Sequence, residues 1–218
     1  MSDIQLDHSD RRERILDAAE RSFTQAGFHR TTVQDVAREA NMSPGNLYRY
    51  FPSKDAIVTG LVERDRAMLR EDFESFAQTE RLEVVLRALA RKHFEEAPRS
   101  KAVLCVQIWA EATVNPAIAA ANATLDSDLM EGIQRLIEAG RERGEVAEGV
   151  DAAATARLIM SMSSGLFMRR ALFPDFDADN EIKALLCVIG GVLRGDIGQG
   201  AVPHPLSGDV LLATETDR

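Results

Sequence analysis

Apolar positions recur at helical spacing from one end of the chain to the other. Ile15, Ala19, Phe23 and Ala26, with Leu16 beside them, line one face of a first helix. Asp10 and Glu13 have the spacing of its capping box, and Gly27 is the residue able to take positive φ just past its end. Residues 1–9 then read as a mobile arm. Val33, Val36, Ala37 and Ala40 give a narrow apolar face to a short second helix. Thr32 caps it, and Asp35 three residues on can return the hydrogen bond. Asn41-Met42-Ser43 breaks the pattern. Ser43 caps again, and Pro44 occupies a first helical position, where its missing N–H costs nothing. Leu47, Tyr50 and Phe51 share a face of this third helix, which Phe51-Pro52 ends.

A helix of some two dozen residues runs from Lys54, capped by Ser53, to about Gln78. Leu61, Met68 and Phe76 are its core positions, and Glu63, Arg64, Asp65, Arg66, Arg70 and Glu71 form a charged face. Two more helices, Arg81 to Glu96 and Lys101 to Ala112, flank Ala97-Pro98-Arg99-Ser100. Asn115-Pro116 opens a long helix that Gly144 ends. Asp151 caps the next, which stops before Phe173-Pro174, and Asp179 or Asn180 opens the last, which ends near Arg194-Gly195. The last two are apolar on most sides. Leu158, Ile159, Met160, Met162, Leu166, Phe167 and Met168 surround one of them. Ile182, Leu185, Leu186, Val188, Ile189, Val192 and Leu193 surround the other, and Gly190-Gly191 would allow close helix approach. That is more apolar surface than one small domain covers. The pattern predicts a dimerisation bundle with Leu158, Met162, Leu185, Leu186, Ile189 and Val192 in contact. From residue 196 to 218 the chain reads as a loose tail, with Val210-Leu211-Leu212 as a docking segment. The fold class is all-α.

Composition changes this picture little. Hydrophobic residues make up 45% and charged residues 28%, as in a globular domain. The net charge of −9 is uneven: residues 9–54 carry +2, residues 55–218 carry −9 and the first eight carry −2. The segment holding the two short helices is the positive one, so phosphate contacts there should be few and local. Cys105 and Cys187 lie far apart in apolar runs, without the spacing of a zinc site. They read as buried thiols suited to a reducing cytoplasm. The polar N-terminus is not a signal peptide, and the longest apolar run, Ala184 to Leu193, is about half a membrane span.

The two short helices have the layout of a helix-turn-helix, whose second helix enters the DNA major groove. Its tip, Pro44-Gly45-Asn46, is free of bulky apolar groups, so the backbone can approach base edges. Tyr48 and Arg49 point away from the Leu47/Phe51 face, and Lys54 adds a cation at a helix start that suits phosphate. Phe28-His29-Arg30-Thr31-Thr32-Val33, Asp35-Val36-Ala37 and Ser43-Pro44-Gly45-Asn46-Leu47-Tyr48-Arg49-Tyr50-Phe51-Pro52-Ser53-Lys54 resemble the DNA-binding signature of the TetR/AcrR family of one-component regulators. The resemblance covers residues 10–60 closely; beyond them the helical layout and the length match. It implies a DNA-binding domain at 10–53 that contacts double-stranded operator DNA through Thr32, Gln34, Ser43, Pro44, Gly45, Asn46, Tyr48, Arg49, Tyr50 and Lys54. It also implies a ligand-binding and dimerisation domain at 54–195 and a homodimeric repressor released by a small lipophilic effector.

For that effector the lining residues read from the sequence are Phe94, Leu104, Gln107, Ile108, Trp109, Met130, Ile133, Met160 and Phe167. Polar contacts would come from His93, Gln107, Glu111, Asn122 and Arg170. Each of these suits an ordinary core or surface position equally well, and the resemblance is what argues for a cavity. No cofactor, metal or membrane partner is expected. His8, His29, His93 and His204 lack catalytic partners at recognisable spacing, and no phosphate-binding or nucleophile motif is present, so catalysis is not expected. An activator of the same fold and a helical protein–protein adaptor are the alternatives. The flat Pro-Gly-Asn tip argues against the adaptor.

Overall fold

The computed structural model describes residues 3–76 and 81–198. Among these, nine α-helices follow one another without a strand: α1 Asp3–Ala26, α2 Val33–Glu39, α3 Pro44–Leu47, α4 Lys54–Phe76, α5 Leu82–Arg91, α6 Arg99–Ala112, α7 Pro116–Glu142, α8 Ala152–Leu172 and α9 Ala178–Leu193. The chain is all-α, as its periodicity requires. Several boundaries differ from the sequence reading. Helix α1 begins at Asp3, so Asp10 is inside it and residues 3–9 are helix rather than an arm. Asp177, not Asp179 or Asn180, caps α9, accepting from the Asn180 N–H at 3.2 Å. Residues 199–218, with Val210-Leu211-Leu212, lie outside the described part.

Two hydrophobic clusters hold the helices. The first joins Ile15, Leu16, Ala19 and Phe23 of α1 to Val33, Val36 and Ala37 of α2, to Leu47 and Phe51, and to Ile57, Val58, Leu61 and Val62 of α4. It does not stop at residue 53. Leu104 and Ile108 of α6 and Ile118 of α7 belong to the same cluster. Gly60 permits the contact between α4 and the end of the α3 segment: a Cβ there would lie 2.7 Å from a Phe51 ring carbon. Ion pairs reinforce the join. Arg64 of α4 reaches Asp17 at 2.8 Å and also Glu20, and Lys101 of α6 reaches Asp65 at 2.7 Å.

The second cluster gathers the far half of α4 with α5, α7, α8 and α9 around Phe73, Val85, Phe94, Ile133, Ile137, Ile159, Leu166, Leu185 and Ile189. On α4 the core position is Phe73, whereas Met68 is exposed; the Phe73 ring takes the space left by Gly132, where a Cβ would fall within 2.8 Å of it. Gly191 serves the chain's own end in the same way, giving room to Ile197 rather than to another helix.

Helix α5 runs on to Glu96 through a wider π turn, Lys92–Glu96, closed by the Ala97 N–H donating to the Lys92 carbonyl at 3.1 Å. A π turn leaves carbonyls poorly satisfied. Here Arg170, buried on α8, sends its guanidinium to the carbonyls of Phe94 and Ala97. Arg99 returns the arrangement: it donates to the Arg170 carbonyl at 3.2 Å and to that of Ala171 at 2.5 Å, near the end of α8. Arg170 is therefore a structural clasp and not a ligand contact. Arg170→Met would leave buried carbonyls unpaired. Charge-assisted hydrogen bonds of this kind contribute about 1.5–3 kcal/mol each, so urea denaturation of the variant should show a loss of about 2–5 kcal/mol.

Candidate functional site

The helix-turn-helix is built by its caps. The Thr32 hydroxyl accepts from the Asp35 N–H at 3.2 Å, and Asp35 accepts from the Thr32 N–H at 3.0 Å, a closed capping box. The Thr32 hydroxyl also donates to the Asp35 carboxylate at 2.6 Å, and this bond, with the one from the Thr32 N–H, holds the Asp35 carboxyl below its usual range. The turn is made by Asn41 at φ 56°, a conformation that asparagine tolerates better than most residues. Ser43 then accepts from the Asn46 N–H at 3.3 Å, with Pro44 in the first turn. Regular helix ends at Leu47, earlier than Phe51. Turn bonds from Arg49, Tyr50 and Phe51 back to Asn46 and Leu47 carry the coil onward. Leu47 and Phe51 are fully buried and fix the segment's inward face.

On the outward face Thr32, Gln34, Ser43, Pro44, Gly45, Tyr48 and Arg49 are exposed, and Asn46 is half-buried. Thr32 and Gln34 stand at the start of α2, Ser43 to Asn46 at the start of α3, and Tyr48 and Arg49 just past its end. A Cβ at Gly45 would meet nothing within 4 Å, and its φ is not in the left-handed region. The fold does not require glycine there, so the bare tip is available to a partner surface. Two expected contacts are placed otherwise. Tyr50 packs against the first cluster, its ring 4.7 Å from that of His8. Lys54 turns inward: its ammonium donates to the Phe28 carbonyl and sits 3.9 Å above the Phe28 ring. Burial pulls its pKa down, partly offset by Glu111 and Asp55. Lys54 ties the turn after α1 to the start of α4 rather than reaching out to a phosphate.

A cavity of about 150 Å³ lies inside the second cluster. Leu69 and Phe73 of α4, Leu86, Leu89 and Ala90 of α5, His93 and Phe94 of the π turn, Leu129 and Ile133 of α7, Ile159, Ser163 and Phe167 of α8, and Leu185, Leu186 and Ile189 of α9 line it. Of the residues expected to line a pocket, Phe94, Ile133 and Phe167 do so. Trp109 stands edge-on to Phe167 at 5.8 Å, behind the wall, and Met130 and Met160 pack against the surrounding cluster. Leu104 and Ile108 face the other way, into the first cluster, because α6 turns that side towards α1 and α4. Gln107 lines a separate open cleft against residues 26–30, where its Oε1 accepts from the Phe28 N–H at 3.2 Å.

The late helices are divided in a way the sequence did not separate. Leu185, Ile189 and Val192 are buried within the chain, so these three expected interface positions belong to the monomer's own core. Met162 and Leu186 are half-buried. Leu158, Met168 and Leu172 of α8 and Val188 of α9 stay exposed, with Gly165 open beside them. Cys187 is exposed as well and Cys105 is half-buried, so the reading of two buried thiols does not hold; desolvation pushes the Cys105 pKa up to about 12.

Comparison with known proteins places this geometry. A family model described as bacterial regulatory proteins of the tetR family matches residues 15–61, and one for the C-terminal region of BetI-type transcriptional repressors matches residues 78–194. The chain belongs to the TetR family. The TetR-family chain is 26% identical over 203 residues to the HTH-type transcriptional regulator UidR of Escherichia coli K12, covering 88% of this chain and 98% of UidR. Salmonella enterica GusR superposes with a TM-score of 0.73 at 25% identity, over 84% of this chain and 95% of GusR. A transcriptional regulator from Saccharomonospora viridis, crystallised with choline, superposes with a TM-score of 0.71 at 23% identity, over 83% and 96% of the two chains. This TetR-family chain is accordingly a DNA-binding transcriptional regulator, and its relatives are regulators rather than enzymes. No helix among its described residues is long and apolar enough to cross a membrane.

Sequence reasoning missed Leu69, Phe73, Leu89, Leu129 and Ser163 as cavity residues. The i,i+4 spacing of Leu69 and Phe73 on α4 was the available signal. For the DNA face, Gly45→Ala separates binding from folding. Helix propensity alone favours alanine by up to about 1 kcal/mol, so the thermal midpoint should hold or rise. Operator affinity, read by fluorescence anisotropy, should fall about tenfold, equivalent to about 1.4 kcal/mol.

Proposed function

We propose that the protein is a homodimeric repressor that acts in the cytoplasm and releases its operator when a small lipophilic effector fills the cavity of the second cluster. One observation carries the reading. Helix α4 begins at Lys54, in the helix-turn-helix core, and sends Leu69 and Phe73 to the cavity wall. An occupant that shifts the far end of α4 therefore acts on the same rigid element that seats the recognition helix. Two recognition helices must fit successive major grooves, roughly 34–36 Å apart for half-sites one turn apart. A small tilt costs contacts at both half-sites together. The effector need only prefer the released state; about 5.5 kcal/mol of preference takes the population from 1:99 to 99:1.

Dimerisation through α8 and α9 is supported by Leu158, Met168, Leu172 and Val188, large apolar side chains left exposed on these two helices. A double substitution, Leu158→Glu with Met168→Glu, places two charges on α8 without touching the core. Light scattering should then report a monomer, and operator affinity should drop by at least about a hundredfold, or about 2.7 kcal/mol. A dimer that persists would place the interface elsewhere. Release is tested by titrating operator-bound protein with small apolar compounds shown by calorimetry to bind it. Unchanged operator affinity for every binder would refute effector control. In vitro transcription from the same operator separates repression from activation.

A further inference from the structure

The wall of the cavity in the second cluster carries no charge. Among the described residues, none that lines it is an aspartate, glutamate, lysine or arginine; His93 and Ser163 are the polar ones, and the rest are Leu, Ile, Ala and Phe. Desolvation lowers the His93 pKa, so its imidazole is neutral at neutral pH. The charged side chains closest to the wall are committed elsewhere. Asp72 stands beside His93 but holds the Lys92 ammonium, and Arg170 gives its guanidinium to the carbonyls of Phe94 and Ala97.

We propose that the cavity admits only uncharged apolar molecules about the size of one substituted benzene ring, and that the effector belongs to this class. The inference rests on the effector reading of the cavity given above. An ion entering this space sheds its water and finds no opposite charge on the wall, which is strongly unfavourable. Aromatic faces do not replace that charge for a quaternary ammonium. Cages of that kind are best built with Trp, whereas the aromatic rings of this wall are Phe73, Phe94 and Phe167. Those rings are engaged with the protein: Phe94 and Phe167 lie against each other with centroids 4.8 Å apart, Trp109 meets Phe167 edge-on, and Phe73 packs over Gly132. A sugar is excluded for a different reason. It brings several hydroxyls, and with His93 and Ser163 as partners most of them would be buried unpaired. Size completes the description. A cavity of about 150 Å³ walled by Leu, Ile and Phe is the kind of space that takes up benzene in another protein.

The test is calorimetric titration of the full-length protein with toluene, choline, benzoate and glucose. Toluene should bind at least about a hundredfold tighter than each of the other three, a difference of about 2.7 kcal/mol. Ala90→Phe and Ser163→Leu fill the cavity from α5 and from α8, and each should weaken toluene binding at least about tenfold. Ser163→Ala removes the hydroxyl without filling the space and should leave toluene binding unchanged. Operator affinity without any probe shows that each variant is folded. Tighter binding of choline, benzoate or glucose than of toluene would overturn the proposal, as would toluene binding that survives both filling variants or no toluene binding at all. Operator affinity is read in the same titrations. Toluene that binds as expected and leaves operator affinity unchanged upholds the selectivity of the cavity and counts against release, so the two readings fail separately.

Discussion

Phe28 is the point where the molecule's parts are tied. Its ring packs on Phe23, with centroids 5.6 Å apart, and lies beneath the Lys54 ammonium. Its carbonyl accepts from Lys54 at the start of α4, and its N–H donates to Gln107 on α6. One residue in the turn between α1 and α2 thus holds two helices that lead into the larger part of the chain. Backbone groups in a half-buried turn must be satisfied somewhere. Here they are satisfied by α6 and α4, so the turn before α2 is fixed to both helices.

The head was legible in the sequence because its structure is local. Thr32 with Asp35, and Ser43 with Pro44, act within four residues of themselves, and the buried positions Val36, Leu47 and Phe51 follow from a short helical repeat. Lys54 was misread for the opposite reason. Its partner Phe28 is 26 residues away, and nothing local distinguishes a lysine aimed at a phosphate from one aimed at a carbonyl. The same limit applies to α6. Leu104 and Ile108 are apolar whichever side they face, and only the packing against α1 and α4 assigns them to the head's core. On α9 nearly every position is apolar, so periodicity could not say which face was turned inward; the structure gives Leu185, Ile189 and Val192 to the interior and Val188 to the outside.

The π turn at Lys92–Glu96 explains why the cavity exists where it does. Five residues per closed loop shift His93 and Phe94 relative to a continuing α-helix, which brings both to the cavity wall. The departure from α geometry is held by Arg170, whose guanidinium stays charged across ordinary pH and reads carbonyls rather than carboxylates. No pattern of apolar spacing reports such a turn. An arginine amid the apolar residues of α8 is the one trace it leaves in the sequence.

The first cluster also bears on how such regulators can be recombined. A head cut at residue 53 would strip the first cluster of Ile57, Leu61, Leu104 and Ile108 and leave its remaining apolar members facing water. A chimera that grafts this operator specificity onto a different sensor must therefore carry the first half of α4 and supply a matching α6 surface. The portable unit is the packed cluster, and it is discontinuous in sequence.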